Sequence, residues 1–135
     1  MTAISVRPVR TALARALPGL FAAAVAVSAA AAAEPVPNKP GDCTLTSVKR
    51  IESRLEGMPD SGSAIAYTDG LYQVSYEMDA GVSSSRPGDR VRICLVELPH
   101  DCPPGDTRGK IYKATNLRTH RSWTMPDSEH SCGGA

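Results

Sequence analysis

The sequence predicts a mostly β, small single-domain fold: a barrel or sandwich of five to six short antiparallel strands, stapled by disulfides. Three observations carry that expectation. Asp69-Gly70 sits between two alternating runs, the strongest two-residue hairpin signal, because both turn positions favour positive φ. Asp89 to Leu98 (DRVRICLVEL) alternates and then turns apolar on both faces, as a strand does on entering the middle of a sheet. Cys43, Cys94, Cys102 and Cys132 form an even set behind an export leader, so the expected state is two disulfides.

The leader is the first element in the chain. Arg7, Arg10 and Arg15 precede an apolar core from Leu20 to Val27 and an alanine run ending at Ala33, the order of a secretory signal peptide. Residues 1–33 are read as that signal, with cleavage after Ala33. The apolar stretch is short and alanine-rich, below the roughly 18 strongly apolar residues of a membrane span. No stable membrane anchor is therefore expected after cleavage, and the protein is placed outside the cytosol, periplasmic or extracellular. Without the three leader arginines the remaining chain carries a net charge of −2 with histidines neutral. Nothing in that balance calls for nucleic acid.

Residues 34–42 (EPVPNKPGD) read as a proline-rich disordered linker, and 43–135 as the β-rich domain. A domain of this size has a thin core, with Trp123 its one tryptophan, which makes covalent cross-links useful. From Cys43 to about Arg50 the β-branched Thr44, Thr46 and Val48 favour a strand. Val48, Ile51 and Leu55 at helical spacing, with Gly57 as a stop, offer a helix as the competing reading. Met58 to Gly62 and Ala80 to Gly88 read as loops. A two-residue turn at Asp69-Gly70 pairs Tyr67 with Tyr72 and Ile65 with Val74. It sets Ile65, Tyr67, Tyr72, Val74 and Tyr76 on one face, with Ala64, Ala66, Gln73 and Ser75 on the other. Gly109 to Thr115 and Ser122 to Met125 form a last hairpin with a polar tip.

Four cysteines allow three pairings. The expected one joins Cys43 to Cys132, clipping the ends, and Cys94 to Cys102, pinning the Pro99 corner. A rival reading gathers His100, Cys102, His130 and Cys132 as a metal site. Each His-x-Cys pair is spaced more tightly than structural zinc sites favour, so no metal and no cofactor are expected. Asp127-Ser128-Glu129-His130-Ser131 holds the residue types of a hydrolase triad. Neighbours in sequence do not create triad geometry, and no Gly-x-Ser-x-Gly elbow is present, so no enzyme is expected.

One charge asymmetry points to binding. Arg108, Lys110, Lys113, Arg118 and Arg121, with His120, occupy a stretch without an acid and suggest a site for an anionic envelope polymer or a protein partner. A second possibility comes from resemblance. Ser61 to Gly70 (SGSAIAYTDG) resembles the hairpin of membrane-bound C-type lysozyme inhibitors, though the lysine-glycine that follows in that family and its lipobox are missing here. The resemblance implies a periplasmic β-barrel that blocks an enzyme cleft through a serine-bearing loop, with Ser61 and Ser63 as contact residues. The function expected is thus a small exported, non-catalytic binding or envelope protein. An enzyme inhibitor is the alternative, and a metal-binding protein the second alternative.

Overall fold

The computed structural model describes residues 34–134. The signal-peptide reading of 1–33 lies outside the described residues. The elements are β1 (Cys43–Leu55), β2 (Met58–Tyr67), β3 (Tyr72–Ser75), α1 (Ala80–Ser83), β4 (Arg90–Glu97), β5 (Ile111–Asn116) and β6 (Ser122–Pro126). They build one antiparallel six-stranded sheet in the order β3-β2-β1-β4-β5-β6. The predicted mostly β class is observed, and the sheet is open, with β3 and β6 as its edges.

β1 is a strand throughout, and it explains the helical spacing that competed with that reading. A bulge between Val48 and Arg50 inserts one residue into the ladder with β2. Buried positions run Thr44, Thr46, Val48 before it, and the inward face continues at half-buried Ile51 after it. One bulge therefore turns a step of two into a step of three and imitates a helix face. The bulge also marks a corner: Cys43–Ser47 pairs with β4, and Val48–Leu55 with β2.

Met58 to Gly62, expected to be a loop, opens β2 and folds back on β1. A second irregularity between Ser53 and Leu55 absorbs the extra residues. Ser61 holds it: its hydroxyl accepts from Leu55 N–H (2.8 Å) and donates to the Met58 carbonyl (2.7 Å), while Arg54 Nε donates to the Ser61 carbonyl (2.8 Å).

The β2–β3 hairpin forms where expected, but one residue out of the expected register. Ile65 pairs with Gln73, Ala64 with Val74 and Ala66 with Tyr72. The loop is Thr68-Asp69-Gly70, with Tyr67 N–H bonded to Leu71 O (2.9 Å) and Gly70 N–H to Tyr67 O (3.2 Å). Gly70 has φ +93, the left-handed residue that completes a three-residue hairpin loop. Asp69 Oδ1 accepts the Leu71 N–H at 3.0 Å, so the aspartate caps this longer loop. A one-residue slip exchanges faces. Gln73 accordingly joins Ile65 and Tyr67 in the interior, while Tyr76 lies exposed beyond the strand.

The core is formed by Val48, Ile65, Tyr67, Val91, Ile93, Leu95, Tyr112, Trp123 and neighbours. Gln73 is fully buried among them. Its Nε2 donates to Tyr112 O (2.8 Å) and Met125 O (3.0 Å), and its Oε1 accepts from Tyr67 OH (2.6 Å) and Trp123 Nε1 (3.1 Å). One side chain on edge strand β3 thus reaches the backbone of β5 and of edge strand β6. The short helix α1 lies in the stretch read as a loop. Asp79 Oδ1 caps it through Gly81 and Val82 N–H (2.7 and 3.0 Å), and Val82 plugs the core.

The proline-rich stretch 34–42 packs, contrary to the linker reading. Val36 lies against the core, Pro37 is buried, and Tyr112 OH donates to Pro37 O at 3.1 Å. Burial pushes the Tyr112 phenol up to about 12. Backbone bonds from Gly41 N–H to Leu95 O (2.9 Å) and Leu95 N–H to Asp42 O (3.0 Å) continue the β1–β4 ladder. Prolines here do not disfavour order, because only the intervening groups need partners.

Two disulfides are present, paired differently from the expectation. Cys43 bonds Cys94, its register partner across β1 and β4, and Cys102 bonds Cys132, tying the β4–β5 connection to the C-terminal tail. Cys94 lies inside β4 directly opposite Cys43 of β1, so the ladder brings these two cysteines together. With 51 and 30 residues separating the partners, loop-closure entropy assigns each bridge about 4 kcal/mol. The cross-links fit an oxidising compartment. Among the described residues no helix is long and apolar enough to cross a membrane.

Candidate interaction surface

The six predicted basic residues do not act as one group. Arg108 forks onto Asp106 (Nε–Oδ1 3.0 Å, Nη2–Oδ2 2.8 Å) and also donates to Gly134 O at 3.2 Å. Arg118 forks onto Asp89 (2.6 and 2.8 Å) and donates to Ser84 O at 2.9 Å. Lys110 is half-buried, its N–H bonded to Asp127 Oδ1. His120 (φ 58) and Arg121 are exposed at the β5–β6 turn, and Lys113 points outward from β5.

The Arg118 pair belongs to a bracket that docks this turn on the α1–β4 connection. Buried Asn116 donates from Nδ2 to Ser85 Oγ and Asp89 Oδ2 (both 2.9 Å), and its Oδ1 accepts from Arg118 and Thr119 N–H. The Arg118 guanidinium, with Asn116 and the Arg86 N–H, holds the Asp89 carboxyl well below the usual carboxylate range. A depressed folded pKa means the stabilisation is complete above the unfolded value, about 3.9, and is lost as pH falls. Asp89→Asn is therefore expected to be less stable than the parent at neutral pH, with the gap narrowing below about pH 4 in urea titrations. A gap of constant size from pH 7 to pH 2.5 would refute the linkage.

Cross-strand register gathers a different set of cations. On β4, Arg90 and Arg92 alternate outward between buried Val91 and Ile93. Arg92 lies opposite Thr115 and Cys94 opposite Lys113, so Arg92 and Lys113 are diagonal neighbours, a spacing of roughly 7–8 Å between backbones. Ser47, Thr115, Ser122 and Thr124 fill adjoining positions, and the Thr115 and Ser122 hydroxyls bond at 2.8 Å. The outward positions of Cys43–Ser47, Arg90–Cys94, Ile111–Thr115 and Ser122–Thr124 contain no acid. Glu97 enters only beyond a bulge near the end of β4, 3.6 Å from His100 Nε2. Glu34 approaches at the β1 edge, where its carboxylate accepts from Thr44 OH (2.8 Å) and Leu45 N–H (3.1 Å).

Comparisons with protein-family models, with curated proteins and with solved structures return no match. The reading of the surface therefore rests on its own chemistry.

The remaining sequence candidates resolve into structural roles. Ser61 pins the β1–β2 irregularity, and Ser63 is buried, its hydroxyl accepting the Asp79 N–H at 2.8 Å. Cys102 and Cys132 are bonded to each other, which removes both as thiolate ligands and corrects the metal alternative. Among the described residues no cluster of three or more His, Cys, Asp or Glu side chains could hold a metal ion. Asp127 Oδ1 accepts the Gly109 and Lys110 N–H groups, and Ser128 Oγ donates to the His130 carbonyl rather than to its ring. At the end of the β1–β2 hairpin, Leu55, Met58, Tyr76 and Met78 remain exposed, with the Arg54 guanidinium 4.2 Å from the Tyr76 ring centroid.

Proposed function

We propose that this is an exported, non-catalytic binding domain that receives an anionic partner, an envelope polymer, on the outer face of β1, β4, β5 and β6. The observation that supports the reading is the placement of Arg90, Arg92 and Lys113 on adjacent strands among hydroxyl side chains, with acids only at the margins. A pleated surface of this kind presents separated charges to a polymer and gives it hydroxyl donors between them. Arg108 and Arg118, which carry much of the charge in the sequence-based site, are engaged with their own aspartates.

Retention on immobilised dextran sulfate is expected to fall steeply with salt, and Arg90→Gln/Arg92→Gln/Lys113→Gln is expected to reduce the logarithmic salt slope by roughly two to three. Unchanged retention and slope in the triple variant would remove this reading. Arg118 is unsuitable for the test, because its loss releases the Asp89 bracket.

A second reading, inhibition of an enzyme, draws support from the exposed Met58, Tyr76 and Met78 at the hairpin end. It requires slowing of at least one enzyme in a panel of lysozymes and proteases at micromolar protein.

A further inference from the structure

The two disulfides differ in the charge beside their sulfur atoms. Cys43 is exposed while the other three cysteines are half-buried, and its sulfur lies 3.4 Å from Arg92 Nη2 and 3.7 Å from the Gly41 carbonyl oxygen. Lys113 is the register partner of Cys94. The Cys102 and Cys132 sulfurs instead lie 3.8 and 3.5 Å from the carbonyl oxygen of His100. A thiolate leaving at Cys43 meets the Arg92 guanidinium beside the Gly41 carbonyl, whereas one leaving from the second bridge has a peptide carbonyl and, among the described residues, no bonded cation at its sulfur. Leaving-group stability and access both govern the rate of thiol–disulfide exchange.

We infer that Cys43–Cys94 is a thiol-exchange site for anionic thiols of the glutathione class, with Cys43 as the leaving thiolate. A glutathione thiolate, its proton released to solvent, attacks Cys94 Sγ. The Cys43–Cys94 bond breaks, its electron pair passes to Cys43 Sγ beside Arg92, and glutathione becomes disulfide-bonded to Cys94. A second glutathione thiolate attacks the glutathione sulfur of that adduct, which yields oxidised glutathione and the Cys94 thiolate. Two thiols have then supplied the two electrons that reduce the bridge. The proposal is independent of the polymer reading, since it depends only on the surroundings of the sulfur atoms.

The test uses oxidised full-length domain under native conditions, with reduced glutathione, acid quenching, alkylation and peptide mass mapping. The expected first product carries glutathione on Cys94 and an alkylated Cys43, with Cys102–Cys132 still intact. Arg92→Gln should slow this step roughly three- to tenfold, whereas Arg90→Gln, two residues away on the same face, should have a smaller effect. In the parent protein, cysteamine, a cationic thiol, should react more slowly than glutathione at low salt, and the difference should shrink in high salt. Opening of Cys102–Cys132 first or at the same rate, an adduct on Cys43, or equal rates for both thiols at low salt would overturn the assignment. These parent measurements decide the question even if Arg92→Gln fails to fold.

Discussion

Gln73→Leu is expected to destabilise the domain by about 4 kcal/mol, although the two side chains are similar in volume and the site is wholly buried. Leucine restores the packing but none of the polar contacts. The Tyr112 and Met125 carbonyls each lose a donor, and Tyr67 OH and Trp123 Nε1 lose their acceptor. A buried polar group left without a partner costs roughly 1–3 kcal/mol. Trp123 Nε1 keeps a contact to Tyr67 OH at 3.3 Å, which makes its share the smallest. Because β3 and β6 are not joined by a ladder, the bond to Met125 O is a direct polar tie between the two sheet edges. Urea unfolding of the parent and Gln73→Leu supplies the measurement. A loss below about 1 kcal/mol would show that water readily replaces this side chain.

Gly62→Ala is expected to cost about 3 kcal/mol or more, through backbone collision instead of lost bonding. Gly62 has φ +123, and a Cβ built there would stand 2.1 Å from Ser75 O and 2.9 Å from the Tyr76 carbonyl carbon. Both obstacles are backbone, so no side-chain rotation relieves them, and overpacking adds to the strain of an L-residue at positive φ. The thermal midpoint should fall by roughly 12 °C or more. Gly70→Ala provides the contrast. Its φ is +93, but nothing lies within 4 Å of the added carbon, so only about 1 kcal/mol of conformational strain is expected. Equal losses for the two variants would refute the steric account.

The strands were legible in the sequence because alternation and turn chemistry are local. β4, β5 and β6 appear within a residue or two of their expected limits. What local pattern cannot convey is an inserted residue. The bulge beside Lys49 gave Val48 and Ile51 a helical interval, and the extra residue in the Thr68–Gly70 loop moved Gln73 from the expected outer face into the core. Polarity argued for the outer position, yet the tertiary structure supplies Gln73 with four partners that no window around it reveals. Disulfide pairing failed for a related reason: the match of Cys43 with Cys94 follows from strand neighbours 51 residues apart. The candidate site was half legible. Lys113 was included, but Arg118 is paired with an aspartate 29 positions upstream, and Arg90 and Arg92 join the surface only through strand order. Combining the outward alternation of β4 with that of β5 was the signal that could have found them.

The disulfide arrangement also determines how the chain responds to being cut. The loops closed by Cys43–Cys94 and Cys102–Cys132 follow one another without overlapping. A single protease cleavage inside either loop leaves both fragments covalently attached, and the strands around the cut remain in register. Only the connection between Cys94 and Cys102, with exposed Glu97, His100 and Asp101, lies outside both loops within the cross-linked region. Cleavage there divides the molecule into a piece bearing β1 to β4 and a piece bearing β5 and β6, held together without a covalent link by the β4–β5 ladder, the shared core and the bonds from Asn116 and Arg118 to Asp89.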